Sequence, residues 1–381
     1  MSRDGPSPVE RLRDDSAASP RIVALPDGSL DRFCAAHAGA GTRIATRARL
    51  GVELTRGKRK SLRLEPYEEA PGGQAVNLGW QAHRLGADVS VYGHLDGVPA
   101  LPFDATSMGR AARVDVCRFA DGDLMLADES GDLCDWGLDD LRAAAGDLGG
   151  VADTDAVCWL NWVSVPNTTD AVERFLDVTD PDGEPLFLVD AGDVVGSDAE
   201  AFAAFRDAFC AVSDSDYRLV LTANRAEVRA YTGALLNYGG GDAGGDASDE
   251  WHVRRLREVL GCEAVVLHAP DVAVAASPDG QLTVENRDLA SRARETGGGD
   301  RFGGALAYAL TAGWGWREAC ELANVAASRY IATGDTGDRA TLADWLARPG
   351  APGERGGEGE RGGGGHGERG GWGATDRGAQ K

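Results

Sequence analysis

The sequence predicts an α/β protein built on one mostly parallel sheet with helices on both faces. Short apolar segments typical of buried strands alternate along the chain with longer segments of helical periodicity. This alternation begins at residue 21 and continues to about residue 269. Ligands of such sheets bind at the carboxyl ends of the strands, so the residues that follow each strand are candidate site residues.

The predicted elements follow from apolar runs and helical spacing. The main strands are predicted at 21–25, 87–93, 155–163, 184–192, 217–224 and 263–269. The helices are predicted at 74–86, 167–179, 199–209, 225–233 and 251–260. Alternating apolar residues predict further short strands at 49–54 and 61–65, and glycines predict a flexible loop at 237–250.

Composition limits the class of protein. The 381 residues carry 61 acidic and 39 basic side chains, for a net charge of −22, so nucleic acid is an unfavoured partner. Hydrophobic residues make up 43% of the chain, which indicates a folded body. The scarcity of lysine among so many acids suggests adaptation to high salt. Because no apolar run is long enough to span a bilayer, we expect no membrane segment and a cytoplasmic protein.

The two ends of the chain differ in composition from its centre. Residues 1–20 are polar and are expected to be flexible, and residues 21–346 are expected to form the folded domain. Residues 347–381 are rich in Gly, Glu and Arg and are predicted to be a disordered tail. RNA contact by its Arg-Gly-Gly tracts is less favoured, because the glutamates nearly cancel the arginines.

Two polar motifs begin predicted helices. In "PGGQAVNLG", Gly72 and Gly73 would let a ligand approach the backbone, and Asn77 could bond hydroxyl groups. A plain turn before a helix is the alternative. In "NRAE", Asn224 and Glu227 could hold the water shell of Mg²⁺, or they could form an ordinary capping box.

A third motif, "TGGGD", precedes an apolar helix. The bare amides of Gly297, Gly298 and Gly299 could bind an anion, and the carboxylate of Asp300 could accept a proton. The structural alternative is a glycine-rich turn in which Asp300 is only a helix cap.

These three motifs, in this order, resemble those of the ribokinase-like, phosphofructokinase B-type carbohydrate kinases. The resemblance also includes "GSLD", which ends at Asp31, and the alanine-rich segment 321–335, and it spans about residues 20–345. It implies a three-layer sandwich with a small lid of β-strands at about 40–70, which in relatives often forms a homodimer contact. It also implies transfer of the γ-phosphoryl group of ATP to a sugar hydroxyl, with Mg²⁺.

The resemblance also implies roles for single residues. Asp300 would deprotonate the acceptor, the amides of Gly297, Gly298 and Gly299 would form the anion hole, and Gly303 and Gly304 would let their helix lie near the sheet. The remaining implied positions are Asp31, Gly72, Gly73 and Asn77 for the sugar, Asn224, Thr296 and Asn324 for the nucleotide, and Asn224 with Glu227 for Mg²⁺ through water.

Three features depart from the family pattern. Arg294 stands where an acidic residue is usual, Ala269 with Pro270 replaces a glycine-rich turn, and Gln74 follows the glycine pair where many sugar kinases carry lysine or serine. The second departure leaves the nucleotide-phosphate contacts open, and with them the choice between ATP and ADP.

A basic cluster in the predicted lid bears on the acceptor. Arg56, Lys58 and Lys60 could bind an anionic acceptor, such as ribose 1-phosphate, fructose 1-phosphate or ketodeoxygluconate. The alternative for the cluster is a solvated face or a dimer contact. Neutral sugars such as ribose or fructose, nucleosides, and a non-catalytic sugar-binding regulator on the same fold stay open, although the regulator would have no need for Asp300.

Overall fold

The computed structural model describes residues 6–14, 18–39, 41–56, 60–129, 131–237 and 247–348. Residues 349–381 of the predicted tail, Lys58 and most of the loop predicted at 237–250 lie outside these residues. Among the helices in these ranges, none has the length and apolar character required to cross a membrane.

Fourteen strands occur in the described part of the chain. In chain order they are β1 Arg21–Leu25, β2 Ser29–Ala38, β3 Thr42–Arg43, β4 Arg63–Gly72, β5 Asp88–Gly93, β6 Asp104–Ser107, β7 Ala112–Phe119, β8 Gly122–Asp128, β9 Ala156–Leu160, β10 Leu186–Asp190, β11 Arg218–Asn224, β12 Ala264–His268, β13 Val272–Ser277 and β14 Gly280–Glu285.

Thirteen α-helices accompany these strands. They are α1 Pro8–Arg13, α2 Arg47–Thr55, α3 Gln74–Arg84, α4 Gly131–Asp135, α5 Leu138–Ala145, α6 Gly149–Ala152, α7 Thr168–Val178, α8 Ala199–Ser213, α9 Arg225–Asn237, α10 Asp249–Leu260, α11 Gly298–Thr311, α12 Trp316–Thr333 and α13 Arg339–Leu346.

Nine strands form the central sheet in the order β14-β13-β12-β11-β10-β9-β1-β5-β6. The pairs from β6 through β12 are parallel, and β13 and β14 add an antiparallel edge. The main strands and helices predicted from the sequence are confirmed, and so is the fold class. The predicted segment 155–163 is a strand only as far as Leu160, after which the chain turns into a short 3₁₀ helix.

Each face of the central sheet carries its own hydrophobic core. Because side chains alternate along a strand, Ile22 and Ala24 point to one core, while Val23 and Leu25 point to the other. Helices α3, α11, α12 and α13 supply the first core, and α5, α7, α8, α9 and α10 supply the second. The result is the three-layer arrangement that the sequence predicted.

A second, five-stranded sheet stands beside the first and forms the lid. Its order is β3-β2-β7-β8, with β4 paired to β2. The lid therefore takes strands from 29–38 and 112–128 in addition to the predicted interval 40–70. A small core that includes Cys34, Ile44 and Cys117 lies against it.

The strand predicted at 49–54 is wrong, because these residues lie in α2. Thr46 caps the helix by accepting a hydrogen bond from the Arg49 amide at 3.0 Å. Of the apolar residues in the predicted strand, only Leu50 is buried, so the alternation did not reflect a buried strand face.

The N-terminal segment is more ordered than predicted. Residues 8–13 form α1, which begins with a capping box between Ser7 and Glu10. Leu12 is 2% exposed and joins the first core. The prediction of a flexible segment is therefore wrong for these residues, because the helix also packs on α13, whose Arg339 donates to the carbonyl oxygens of Arg11 and Leu12.

Helices α3 and α11 approach each other closely through glycine. A Cβ built on Gly304 would lie 2.3 Å from the carbonyl oxygen of Leu78 in α3, and one on Gly303 would lie 3.3 Å from the Leu78 Cδ1. We expected these glycines to let α11 lie near the sheet, but the element that they face is α3. They let α11 approach α3, which carries Asn77.

Gly304→Ala is expected to lower the free energy of unfolding by about 2 kcal/mol or more, because the new methyl group meets a backbone atom that cannot rotate away. Gly303→Ala is the matched control. Its methyl group meets a movable side-chain end, and the gain in helix propensity of up to about 1 kcal/mol offsets the crowding. Denaturant unfolding of both variants measures the two changes in the free energy of unfolding. Equal losses would contradict the close backbone contact at Gly304.

Candidate active site

Polar side chains collect at the carboxyl ends of the central strands. Asp27 follows β1, Asn161 follows β9, and Asp190, Asn224 and His268 end β10, β11 and β12. These strands are parallel neighbours, so their ends lie at one edge of the sheet. The N-terminus of α11 meets this edge, as the position of Gly299 against the His268 ring shows.

The three glycines before Asp300 form a bare backbone surface at the start of α11. Gly297 caps the helix with a φ of 79°, a conformation that favours glycine. A Cβ on Gly299 would lie 2.9 Å from the His268 ring, and one on Gly298 would lie 3.1 Å from Ile331. The first amides of a helix have no partner within the helix, so this end can receive an anion.

Asp300 lies in the first turn of α11 and is partly buried. The Asn77 amide group donates a hydrogen bond to its Oδ2 at 2.8 Å. Burial, followed by the negative charge of Asp190, raises the pKa of Asp300 to about 7, while the Asn77 hydrogen bond and the charge of Arg301 act in the opposite direction. A carboxyl group that titrates near neutrality can take up and release a proton at physiological pH.

Two cavities meet at Asp300. One, of about 810 Å³, lies under the lid and is called the lid cavity. The other, of about 730 Å³, lies over the ends of β11 and β12 and is called the strand-end cavity. Both are lined by Asp300, Gly297 and Thr296. Two ligands, one in each cavity, could therefore meet at this carboxylate.

The lid cavity contains most of the residues predicted to hold a sugar. Asp31, Gly73 and Asn77 line it. Asp31 accepts a hydrogen bond from the Ser29 hydroxyl at 2.6 Å, and burial raises its pKa. Gly72 lies behind Asp31, and a Cβ there would be 2.3 Å from the Asp31 carboxyl group. Gly72 thus makes room for Asp31 and does not line the cavity.

Asp27 is a site residue that sequence reasoning missed. It is 4% exposed and accepts hydrogen bonds from the amides of Gln74 and Ala75 at 2.9 and 2.8 Å. It therefore caps α3 from another part of the chain, since Gly73 has no side chain to do so. An aspartate two residues after a buried strand was the available signal, but its partner lies 47 residues away.

Asn224 and Glu227 form a capping box. The Asn224 side chain accepts hydrogen bonds from the amides of Ala226 and Glu227, and Glu227 accepts one from the Asn224 amide at 2.7 Å. Both residues also line the strand-end cavity. Burial and the charge of Asp190 raise the pKa of Glu227 to about 8. The two residues therefore form the capping box that was the structural alternative. Because they also line the cavity, they could still hold the water shell of Mg²⁺.

The carboxyl groups of Asp190, Glu227 and Asp300 together line the strand-end cavity. Among the described residues, no group of three or more His, Cys, Asp or Glu side chains is arranged to bind a metal directly. A divalent cation held through water would suit this set, because it would offset charges that otherwise raise the pKa of Glu227 and Asp300.

The predicted nucleotide residues fall in or beside the strand-end cavity. Thr296 lines both cavities, and Asn324 lines the strand-end cavity alone. Asn324 is 1% exposed, and its amide group donates to the Val284 carbonyl oxygen at 3.2 Å. This contact joins α12 to β14, so part of its polar capacity is already used.

The basic residues predicted for the acceptor are not brought to either cavity. Arg56 and Lys60 are exposed and line neither of them, and Lys58 lies outside the described residues. The arginines that line the lid cavity are Arg84, Arg294, Arg301 and Arg329. Arg294 was noted in the sequence because it departs from the family pattern, but Arg301 was missed.

A comparison with known protein families identifies the chain. The sequence model of the prokaryotic ketohexokinase family matches residues 56–348. No curated protein sequence matches the chain.

Solved structures share its fold. A phosphofructokinase-2 mutant from Escherichia coli has a TM-score of 0.60 at 12% identity, over 87% of this chain and 99% of that one. Adenosine kinase from Sinorhizobium meliloti has a TM-score of 0.57 at 18% identity, over 87% and 100%. An E. coli protein assigned as ribokinase II, solved with ATP and Mg²⁺, has a TM-score of 0.58 at 14% identity, over 86% and 99%.

These likenesses establish a ribokinase-like fold, and the family match spans most of the chain. The chain therefore belongs to the prokaryotic ketohexokinase family.

Proposed function

We propose that this protein transfers the γ-phosphoryl group of ATP to a hydroxyl group of a ketohexose such as fructose. The observation that carries the proposal is the position of Asp300, which lines both cavities at the N-terminus of α11. The acceptor would occupy the lid cavity, and the nucleotide would occupy the strand-end cavity. The description of the matching family supplies the ketohexose.

Asp300 is proposed as the general base. Its ionised carboxylate takes the proton of the acceptor hydroxyl, whose oxygen then bonds to the γ-phosphorus while the bond from that phosphorus to the ADP oxygen breaks. The amides of Gly297, Gly298 and Gly299 would stabilise the negative charge on the transferring group. Asn77 holds the Asp300 carboxylate in place through its 2.8 Å hydrogen bond.

Asn224 and Glu227 would hold Mg²⁺ through its water shell. When bound, the ion would neutralise the negative charge of the nucleotide phosphates during phosphoryl transfer. Glu227 suits this role because it is buried beside Asp190 at the wall of the strand-end cavity. Thr296 and Asn324 are proposed to contact the nucleotide in the same cavity.

A neutral acceptor suits the lid cavity better than an anionic one. Seven carboxylic acids line it against four arginines, so its field opposes an anion. The anionic acceptors predicted from the sequence, ribose 1-phosphate, fructose 1-phosphate and ketodeoxygluconate, depended on Arg56, Lys58 and Lys60. Of these, Arg56 and Lys60 line neither cavity. The polar groups of Asp31 and Asn77 instead suit hydroxyl groups.

The test of this function is turnover across an acceptor panel with ATP and Mg²⁺. We expect the highest kcat/KM for fructose over fructose 1-phosphate, ribose, ribose 1-phosphate, ketodeoxygluconate and adenosine. Asp300→Asn should lower kcat for fructose by about 1,000-fold or more while fructose still binds, because only the base is lost. A preference for an anionic sugar would refute the neutral acceptor. Binding without turnover in the wild type would favour the regulator.

Asp300→Asn also gives a test of the proton on Asp300 that needs no substrate. Below the ordinary carboxyl pKa of 3.8, folded and unfolded chains both hold the proton. From there up to about pH 7 only the folded chain keeps it, so stability due to this group falls as pH rises. The melting temperature of the variant minus that of the wild type should therefore be larger at pH 8 than at pH 4. An equal difference at both values would contradict the raised pKa.

Glu227→Gln separates the cap from the proposed metal role. Glutamine keeps an oxygen that can accept the hydrogen bond from the Asn224 amide, but it removes the charge. The melting temperature should change little, while the Mg²⁺ concentration for half-maximal rate should rise by about 10-fold or more. Unchanged Mg²⁺ dependence would show that Glu227 serves only as the cap.

A further inference from the structure

Arg301, the residue after Asp300, is a buried cation in the wall of the lid cavity. It is 5% exposed, although it carries a full guanidinium group. Its Nε donates a hydrogen bond to the Thr336 hydroxyl at 2.9 Å. Its guanidinium lies over the Tyr330 ring, 4.5 Å from the ring centre. These two contacts hold the side chain in one place.

One donor of this buried group has no acceptor. The Nη1 of Arg301 is buried without a hydrogen-bond partner in the described part of the chain. Burial lowers the pKa of Arg301, while the negative charges of Asp300 and Asp31 act in the opposite direction. A buried donor without an acceptor costs free energy, and an oxygen of a bound ligand would recover it.

Arg301 differs from the other arginines of the lid cavity. Arg84 forms an ion pair with Asp338, and Arg294 forms one with Glu68 and lies over the Phe33 ring. Arg329 donates to the Asp335 carbonyl oxygen, although its Nε is also buried without a partner among the described residues. Arg84 is exposed and Arg294 and Arg329 are partly buried, whereas Arg301 is almost completely buried.

Asp31 offers the complementary group in the same cavity. A guanidinium can only donate hydrogen bonds, and an ionised carboxylate can only accept them. Asp31 Oδ1 already accepts the Ser29 hydroxyl, and its other oxygen has capacity left. A sugar hydroxyl can donate to a carboxylate and accept from a guanidinium at once. Asp31 and Arg301 together therefore suit one hydroxyl group or two neighbouring ones.

We propose that Arg301 binds the acceptor and determines its specificity, with its guanidinium donating to a sugar hydroxyl that Asp31 also engages. The proposal rests on the proposed function, because it takes the lid cavity to be the acceptor site. It adds a contact that discriminates between sugars by the presence and position of one hydroxyl group.

The test is steady-state kinetics of Arg301→Gln and Arg301→Lys with fructose and with its deoxy analogues at positions that are not phosphorylated. For Arg301→Gln the KM for fructose should rise about 10- to 100-fold, with a smaller change in kcat. Arg301→Lys keeps the positive charge but loses the planar, multiply donating guanidinium group, so its KM for fructose should lie between those of the wild type and Arg301→Gln. Arg142→Gln, at an arginine that pairs with Asp139 and lines neither cavity, is the control and should leave KM unchanged.

The deoxy analogues distinguish contact from general damage. At one position the wild type should discriminate against the analogue by about 10-fold or more, and Arg301→Gln should lose that discrimination. Retained discrimination at every position, or an unchanged KM for fructose, would overturn the role of Arg301.

Thr336→Val gives a second variant in case Arg301→Gln does not fold. It keeps the arginine but removes the oxygen that holds its Nε, so the KM should rise less, about 3- to 10-fold. If the wild type uses another acceptor of the panel, the ketohexose function fails, and the same variants then test Arg301 on that acceptor. If it uses none, both proposals fail.

Discussion

The close packing of α3 on α11 is the contact on which the rest of the site depends. Gly304 lets the α11 backbone approach the carbonyl oxygen of Leu78 in α3. One turn earlier in α11, Asp300 accepts a hydrogen bond at 2.8 Å from Asn77, the residue before Leu78. The same helix pair belongs to the core that fills one face of the sheet. The position of Asp300 is therefore set by core packing, so the group at the junction of the cavities is held rigidly before any ligand arrives.

Buried acids set the electrostatics of this region. Asp27 lines the lid cavity, but both of its carboxylate oxygens accept hydrogen bonds from amides of α3. Its role is therefore to cap that helix. Burial, followed by the charge of Asp190 at the end of β10, raises the pKa of both Asp300 and Glu227. The fold thus keeps two carboxyl groups partly protonated near neutral pH at the point where two ligands could meet. This arrangement costs stability and supplies proton-accepting groups, as is common where function opposes stability.

The lid contributes differently from the central domain. Its strands place Asp31 and Phe33 from β2 and Glu68 from β4 over the lid cavity. The ion pair of Glu68 with Arg294, and the contact of Arg294 with Phe33, connect the lid to the segment that precedes α11. A residue that departs from the family pattern therefore joins the lid to the proposed phosphoryl-transfer centre.

The sequence by itself determined the alternation of strands and helices and the three motifs, because these depend on local periodicity and on glycine and asparagine at helix starts. It also predicted Asp300, Asn77 and Asp31, which the tertiary structure brings to one cavity. It could not place Asp27, whose partners are far along the chain, or the buried Nη1 of Arg301, since burial is a property of the packed fold. It misplaced α2 because alternation is ambiguous in a short, half-exposed segment. Only the tertiary structure decided that Arg56 and Lys60 lie away from the cavities, because the direction of a lid helix depends on its packing and not on its charge.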